Sequence, residues 1–437
     1  MKTRSYGSWL VARATFLGAL LFFPAISLAS DPIPAPKQKH PIALTGGKVY
    51  TVSGLVIEKG TVVFDKGKIT AVGADVKVPE GAEQIDVTGK SVYPGMISAF
   101  SNIGLTEIGS VRGTLDMSET GDINPNVRAE AAFHPESELI PVARSGGITV
   151  AVSTPVGGLI AGTSAAMMMD GWTWEDMRLK APIGLLINWP AMVWRPNPFS
   201  RQTKEEWQKR RDDQLKKLKD AFASARAYRL AKQAEQQKGI AYHDVDVRWE
   251  AMIPVLERAV PVVVAASELS EIQAAISWAE QENVRLIFLG GRDAWMVGEE
   301  LKAKGIPVII TEIQVSPSRR WEPYDEAFTL PKKLYDAGVR FCISGEYEGT
   351  QARDIPHQAA TAAAYGLPKE IALRAVTLSP AEILGFSDRV GSIEVGKYAD
   401  LTVLSHDPFS VEPAKIKDIC VEMTIVNGKV VFSAKDK

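Results

Sequence analysis

The side chains with chemistry to offer sit at the ends of short apolar runs. In chain order they are Asn102, Ser153, Asn188, Glu268, Arg292, Glu312 and Glu346. Glu346, Glu312 and Asn102 are the candidate catalytic groups. Glu312 and Glu346 are either a carboxylate pair that donates and accepts protons or two solvated loop residues, because no third group in the sequence fixes their roles. Arg292, Asn188 and Trp189 are the candidate substrate contacts. Arg292 follows Gly290-Gly291 and either meets an anionic ligand at a helix N-terminus or closes a surface salt bridge. Trp189, Trp194, Pro196 and Pro198 cluster after the run Ile183–Ile187. Such a loop forms one wall of an apolar pocket or fills space as a packing plug. Histidine is scarce: His40, His134, His243, His357 and His406 are all there are. No His-x-His and no His-Glu-x-x-His spacing occurs, so the pattern points to no imidazole-held metal.

Positioning these groups falls to runs without polar alternation: Ile148–Ser153, Ile183–Ile187, Pro261–Ala265, Val284–Leu289, Ile306–Ile310 and Val339–Ile343. Strands of this kind are buried on both faces, as in a parallel sheet. Helical patterns lie between them, as at Glu268–Glu282 and Trp295–Lys304. The alternation predicts an α/β fold of (β/α)8 TIM-barrel type over residues 93–388. A doubly wound open sheet is the alternative, weakened because no glycine-rich dinucleotide fingerprint follows any strand. Alternating short strands fill residues 42–92, and more fill 389–437, where Asn427-Gly428 marks a tight hairpin. Neither set can bury a core alone, so the two ends are expected to build one composite β-sandwich. Residues 203–238 read as a long helix with a solvated charged face.

The stretch Val92–Gly104 carries more than a strand. Its Pro94-Gly95 entry resembles the first barrel strand of the amidohydrolase superfamily, where Asp-x-His-x-His follows. Here Ser98, Phe100 and Asn102 stand at those three places. Asn124–Arg128, Phe133–Glu138, Ile140–Thr149, Gly157–Gly162, Ala225–Tyr228, Leu373–Leu384 and the phrase Gly391–Leu401 extend the likeness to secreted, imidazolonepropionase-like members. The resemblance implies metal-dependent hydrolysis of carbon–nitrogen bonds, with a divalent ion such as zinc. It also implies where the ligands should be. The first-strand histidines are replaced at Phe100 and Asn102, the fifth-strand one at Ala265 and the sixth-strand one at Gly290. Glu346 stands at the place of the eighth-strand Asp. The sequence itself supports no cofactor. Three readings follow: a carbon–nitrogen hydrolase with lost or altered metal activity, an inactive pseudoenzyme that binds a small molecule or protein, or a metal-independent barrel enzyme.

Bulk composition narrows the partners. Hydrophobic content of 46%, charged content of 23% and a net charge of −2 are ordinary for a globular chain and give no reason to expect nucleic acid. Lys2, Arg4 and Arg13 precede an apolar run, Thr15–Leu28, that ends in Ser27-Leu28-Ala29. Residues 1–29 therefore read as a signal peptide, with 30–41 a flexible leader and the mature chain exported to a bacterial periplasm. The run is shorter than the ~20 residues a bilayer span needs, so no stable membrane span is expected after cleavage. Cys342 and Cys420 fall in different expected domains and read as buried free thiols.

Overall fold

The chain divides into two units, Met1–Asp31 and Pro32–Lys437. A computed structural model describes residues 34–196, 202–235, 242–411 and 418–436, all within the second unit. The expected signal segment and Pro198 lie outside the described residues. Among those residues no helix is long and apolar enough to cross a membrane.

Five strands open the chain: β1 (Ile42–Tyr50), β2 (Val56–Asp65), β3 (Lys68–Gly73), β4 (Glu83–Asp86) and β5 (Ser91–Pro94). The barrel strands follow directly. They are β6 (Met96–Ser101), β7 (Ile148–Ser153), β8 (Ile160–Met168), β9 (Arg178–Asn188), β10 (Val262–Ala266), β11 (Leu286–Gly290), β12 (Val308–Ile310) and β13 (Phe341–Ile343). They form one eight-stranded sheet in sequence order. The sheet nearly closes. Asn102 N donates to Tyr347 O at 2.9 Å and Ser344 Oγ to Phe100 O at 3.2 Å, so β13 lies beside β6.

The apolar runs form strands where expected, and they line the interior. Every residue of β7 and β8 is buried. Each fully buried Val, Ile or Leu is worth roughly 1.5–3 kcal/mol over an exposed one. One strand departs from the repeated strand–helix pattern. β8 runs antiparallel to both β7 and β9, so the barrel has seven strands in one direction and a reversed one among them. The Gly157–Gly162 phrase leads into β8, which carries no polar punctuation that would mark a reversal.

Helices cover the outside from β9 onward. The longest, Lys204–Ala234, starts at a capping box in which the Thr203 side chain accepts from Glu206 N and Glu206 accepts from Thr203 N; such a cap is worth about 1 kcal/mol. Its charged face is solvated as expected, while Leu218, Ala221, Phe222, Ala225 and Tyr228 bury one stripe. The helix Leu269–Glu282 is capped by Glu268. Ala294–Val297 is a 3-10 turn leading into the helix Gly298–Lys304.

The C-terminal strands β14 (Leu401–Leu404), β15 (Val421–Val426) and β16 (Lys429–Ser433) join the N-terminal ones in a second eight-stranded sheet. The junction is β14 against β5, with Leu401 opposite Pro94 and Thr402 opposite Tyr93. Residues from both ends, among them Leu44, Phe64, Val92, Leu401 and Ile425, share one core. The hairpin β15–β16 turns at Asn427 and Gly428, both at positive φ, as an Asn-Gly turn requires. The phrase Ala399-Asp400-Leu401 ties this sheet to the barrel. Asp400 O accepts from Gly95 N at 2.8 Å, and Asp400 Oδ1 accepts from Asn427 N at 2.7 Å. The other Asp400 oxygen is buried without a hydrogen-bond partner. Burial pushes its carboxyl up to about 7 against the opposing Asn427 N–H. Both cysteines are free; Cys342 is buried as expected but Cys420 is exposed.

Candidate functional site

At the carboxyl end of β6 the side chains have gone over to packing. Phe100 stacks on Tyr347 with ring centroids 4.6 Å apart and planes at 34°. Tyr347 is anchored by its hydroxyl, which donates to Thr154 O at 2.8 Å. Burial pushes that hydroxyl's pKa up. Beneath the two rings, Phe100, Val152, Thr154, Ser164, Val263 and Leu289 enclose a cavity of about 10 Å³, room for one water at most. Asn102 is 1% exposed and its amide is fully engaged. Nδ2 donates to Glu348 at 3.0 Å, and Oδ1 accepts from Gly349 N at 2.6 Å. Asn102 therefore clamps the loop after β13 rather than facing a reactant. Ser98 is wholly buried, and its hydroxyl has no hydrogen-bond partner.

The two glutamates end up side by side. Glu312 follows β12 and Glu346 follows β13. Burial first, then the charge of Glu346 and a hydrogen bond to it, push the Glu312 carboxyl up to about 7. Two carboxylates this close cannot both ionise cheaply, so Glu312 keeps its proton to a higher pH than a free carboxyl does. They stand at the barrel mouth, where ligands of such barrels bind. Glu312 lines a cavity of about 170 Å³ with Ser267, Gly290, Arg292, Thr311 and Glu322. That is small beside the ~300–1,000 Å³ of drug-sized sites.

The expected substrate contacts are differently employed. Arg292 lies 3.4 Å from Glu268 and 3.7 Å from Asp293, the salt-bridge alternative. Glu268 is also paired with Arg195, and Asp293 with Arg319 at 2.5 Å. Asn188 donates to Gly158 O at 2.9 Å, bracing the turn before β8. Trp189 is buried against Trp278 at 5.5 Å, and Trp194 packs on Trp207 at 5.8 Å. Trp189 fills core space, while Trp194 and Trp207 line a pocket of about 280 Å³ with Arg195 and Glu268, separate from the glutamate cavity. Two participants went unread in the sequence, Tyr347 and Glu348. Their signal was adjacency to Glu346 just past the eighth strand.

The donors do not fit the divalent metal that the resemblance implies. Phe100, Ala265 and Gly290 carry no ligating side-chain atom, and Asn102 has both amide atoms occupied. Gly290 sits at φ +94, and a Cβ there would lie 2.6 Å from Ser267 Oγ, so a longer side chain is excluded on two counts. All five histidines are exposed and scattered. Among the described residues no group of three or more His, Cys, Asp or Glu is arranged to hold a metal ion.

A nearly closed barrel joined to a sheet built from both chain ends is an architecture this chain shares with known proteins. A profile of the amidohydrolase family matches residues 299–432. An amidohydrolase from Thermotoga maritima, known from its crystal structure, superposes with a TM-score of 0.78 at 28% identity, covering 90% of this chain and 100% of that one. The amidohydrolase tasK of Hapsidospora irregularis is 23% identical over 413 residues, 90% of this chain. The imidazolonepropionase of Bacteroides thetaiotaomicron is 32% identical over 124 residues, 28% of this chain. The chain is similar to members of the amidohydrolase superfamily over 90% of its length. It spans 42% of tasK and 29% of the imidazolonepropionase.

Proposed function

We propose that this chain is a divergent amidohydrolase that has given up metal-assisted hydrolysis of carbon–nitrogen bonds. Its barrel mouth is kept as a binding pocket for a small molecule carrying an amine or amide N–H. The observation that carries this reading is the Phe100–Tyr347 ring pair. Phe100 stands where the resemblance puts a first-strand histidine and packs on Tyr347, whereas metal catalysis needs an open coordination position. The Glu312–Glu346 pair supplies the recognition. Their carboxyl oxygens accept hydrogen bonds from a nitrogen-bearing ligand.

A second reading rests on that same pair. With Glu312 poised near 7, one carboxyl can donate a proton while its neighbour activates a water, the logic of two carboxylates sharing one proton. On this reading the chain hydrolyses carbon–nitrogen bonds without a metal. The leader Lys2–Ala29 supports export to a bacterial periplasm under either reading.

The test is elemental analysis of the purified mature protein after dialysis against metal-free buffer, followed by thermal-shift screening with small amines and amides. The proposal expects no stoichiometric metal, and a stabilising amine whose effect disappears in Glu312→Gln. About one equivalent of zinc per chain would overturn it. Turnover of an amide by the metal-free protein, lost in Glu312→Gln, would put the second reading first.

A further inference from the structure

The end of the barrel opposite the glutamates carries a larger cavity that the fold does not explain. Its volume is about 670 Å³, within the range of small-molecule sites. The lining comes from residues just ahead of β10, β11, β12 and β13. Barrels of this architecture place stability, not ligands, at that face.

The charge there is unbalanced. The cavity is lined by Arg258, Arg285, Lys304 and Arg340 against Glu280 and Glu382. Lys304 is paired with Glu280, and Glu382 is taken by Arg374 at 2.6 Å. No carboxylate among the described residues pairs with the three arginines. Each is held instead by a neutral oxygen. Arg258 donates to Asn283 Oδ1 at 2.8 Å, Arg285 to Ala259 O at 2.8 Å and Arg340 to Gly305 O at 2.7 Å. A guanidinium has five N–H donors in a fixed fork, so these tethers orient each group and leave donors over.

Two further observations point to the same place. Arg258 and Asn283 both have positive φ, 62° and 54°. Asparagine tolerates this conformation but arginine adopts it at a cost, and the two are joined by the hydrogen bond above. The arginines also act on one another. Burial first and then the charge of Arg258 push the Arg285 guanidinium below its ordinary value. Burial also lowers Lys180, with Asp388 opposing and Arg389 and Arg285 adding to the effect. Collected positive charge in excess of its counter-charges is stabilised by an anion.

We propose that this cavity binds a polyanion carrying two or more phosphate groups, gripped by Arg258, Arg285 and Arg340. Planar guanidinium forks match phosphate oxygens bidentately, and three of them around one cavity suit more than one phosphate. The phosphates belong either to a soluble molecule or to a lipid headgroup. The site shares no residue with the glutamate pocket, so it stands whether or not the reading of that pocket holds.

The experiment uses the mature chain and its variant Arg285→Gln/Arg340→Gln, whose exposed positions leave the fold intact; circular dichroism checks this. Calorimetry with sodium tripolyphosphate, inorganic phosphate and citrate is run beside flotation with phosphatidylcholine vesicles, with and without phosphatidic acid. The expected result is one tripolyphosphate per chain, bound at least about tenfold more weakly by the variant, with affinity falling as salt rises. Inorganic phosphate should bind less tightly. Vesicle binding that needs phosphatidic acid and is lost in the variant would support the proposal and assign the phosphates to a lipid. Equal binding by parent and variant, citrate binding as tightly as tripolyphosphate, or no binding to either probe would overturn it.

Discussion

Two phrases of the family met opposite fates in this chain. Ala399-Asp400-Leu401 persists, and each part has structural work. Ala399 O accepts from Gly428 N and Asp400 O from Gly95 N, which locks the C-terminal hairpin and the entry to β6 onto one another. Ser98-x-Phe100-x-Asn102 stands where the catalytic phrase belongs, and each position has been rebuilt for packing. A buried junction of backbone hydrogen bonds constrains its residues whatever the protein catalyses. Metal ligands are constrained only by the metal. On the proposed reading that demand is absent, and a ring and an amide that bind the loop after β13 stand at these positions.

The strongest way to break this comparison is Phe100→Ala. Phe100 is partly exposed, so the loss should be about 2–3 kcal/mol, below the ~3–5 kcal/mol of a fully enclosed Phe→Ala change. Denaturant unfolding measures it, and a cost near zero would mean the ring pair is not what fills the mouth. Asn102→Ala comes next, at about 1–3 kcal/mol, because it strands the buried Gly349 N–H. Its signature is faster amide exchange at Gly349.

Asp400→Asn probes the retained phrase. The folded-state value of about 7 lies above the ordinary ~3.9, so this acid supports the fold while protonated. Its contribution is whole below about pH 4 and is lost as pH rises towards 7. Glu312, also near 7, adds a slope of the same sign. Melting temperature should therefore fall less between pH 4 and 7 in Asp400→Asn than in the parent. Identical slopes would show that Asp400 ionises normally. The smallest effect is expected from Phe100→His/Asn102→His. Ala265 and Gly290 still offer no donor, so elemental analysis should find no stoichiometric zinc; uptake of one equivalent would mean that the ligand set is misplaced.

Much of this was legible beforehand. The six apolar runs became strands because a segment buried on both faces has no polar alternation to hide, and Asn427-Gly428 became a hairpin because few other pairs accept two positive φ values. That Phe100, Ala265 and Gly290 offer no ligating side-chain atom is plain from residue identity alone. What escaped was pairing at a distance. Nothing local tells that Asn102 reaches Glu348 and Gly349, or that Phe100 meets Tyr347, since more than 240 residues separate the partners of the Asn102–Glu348 bond. Proximity of Glu312 and Glu346 needed the sheet to set neighbouring strands side by side. The direction of β8 escaped for a different reason: a strand buried throughout carries no mark of which way it runs.

That reversal bears on how the chain assembles. β7, β8 and β9 form a meander within residues 148–188, whereas β14 reaches β5 only when chain segments some three hundred residues apart meet. Short loops close at little entropic cost and long ones at more. The meander is thus the natural first-formed piece, a seed on which the parallel strands are laid, and the composite sheet is the clasp that fastens last. Pulse-labelled hydrogen exchange during refolding should protect β8 amides before those of β14.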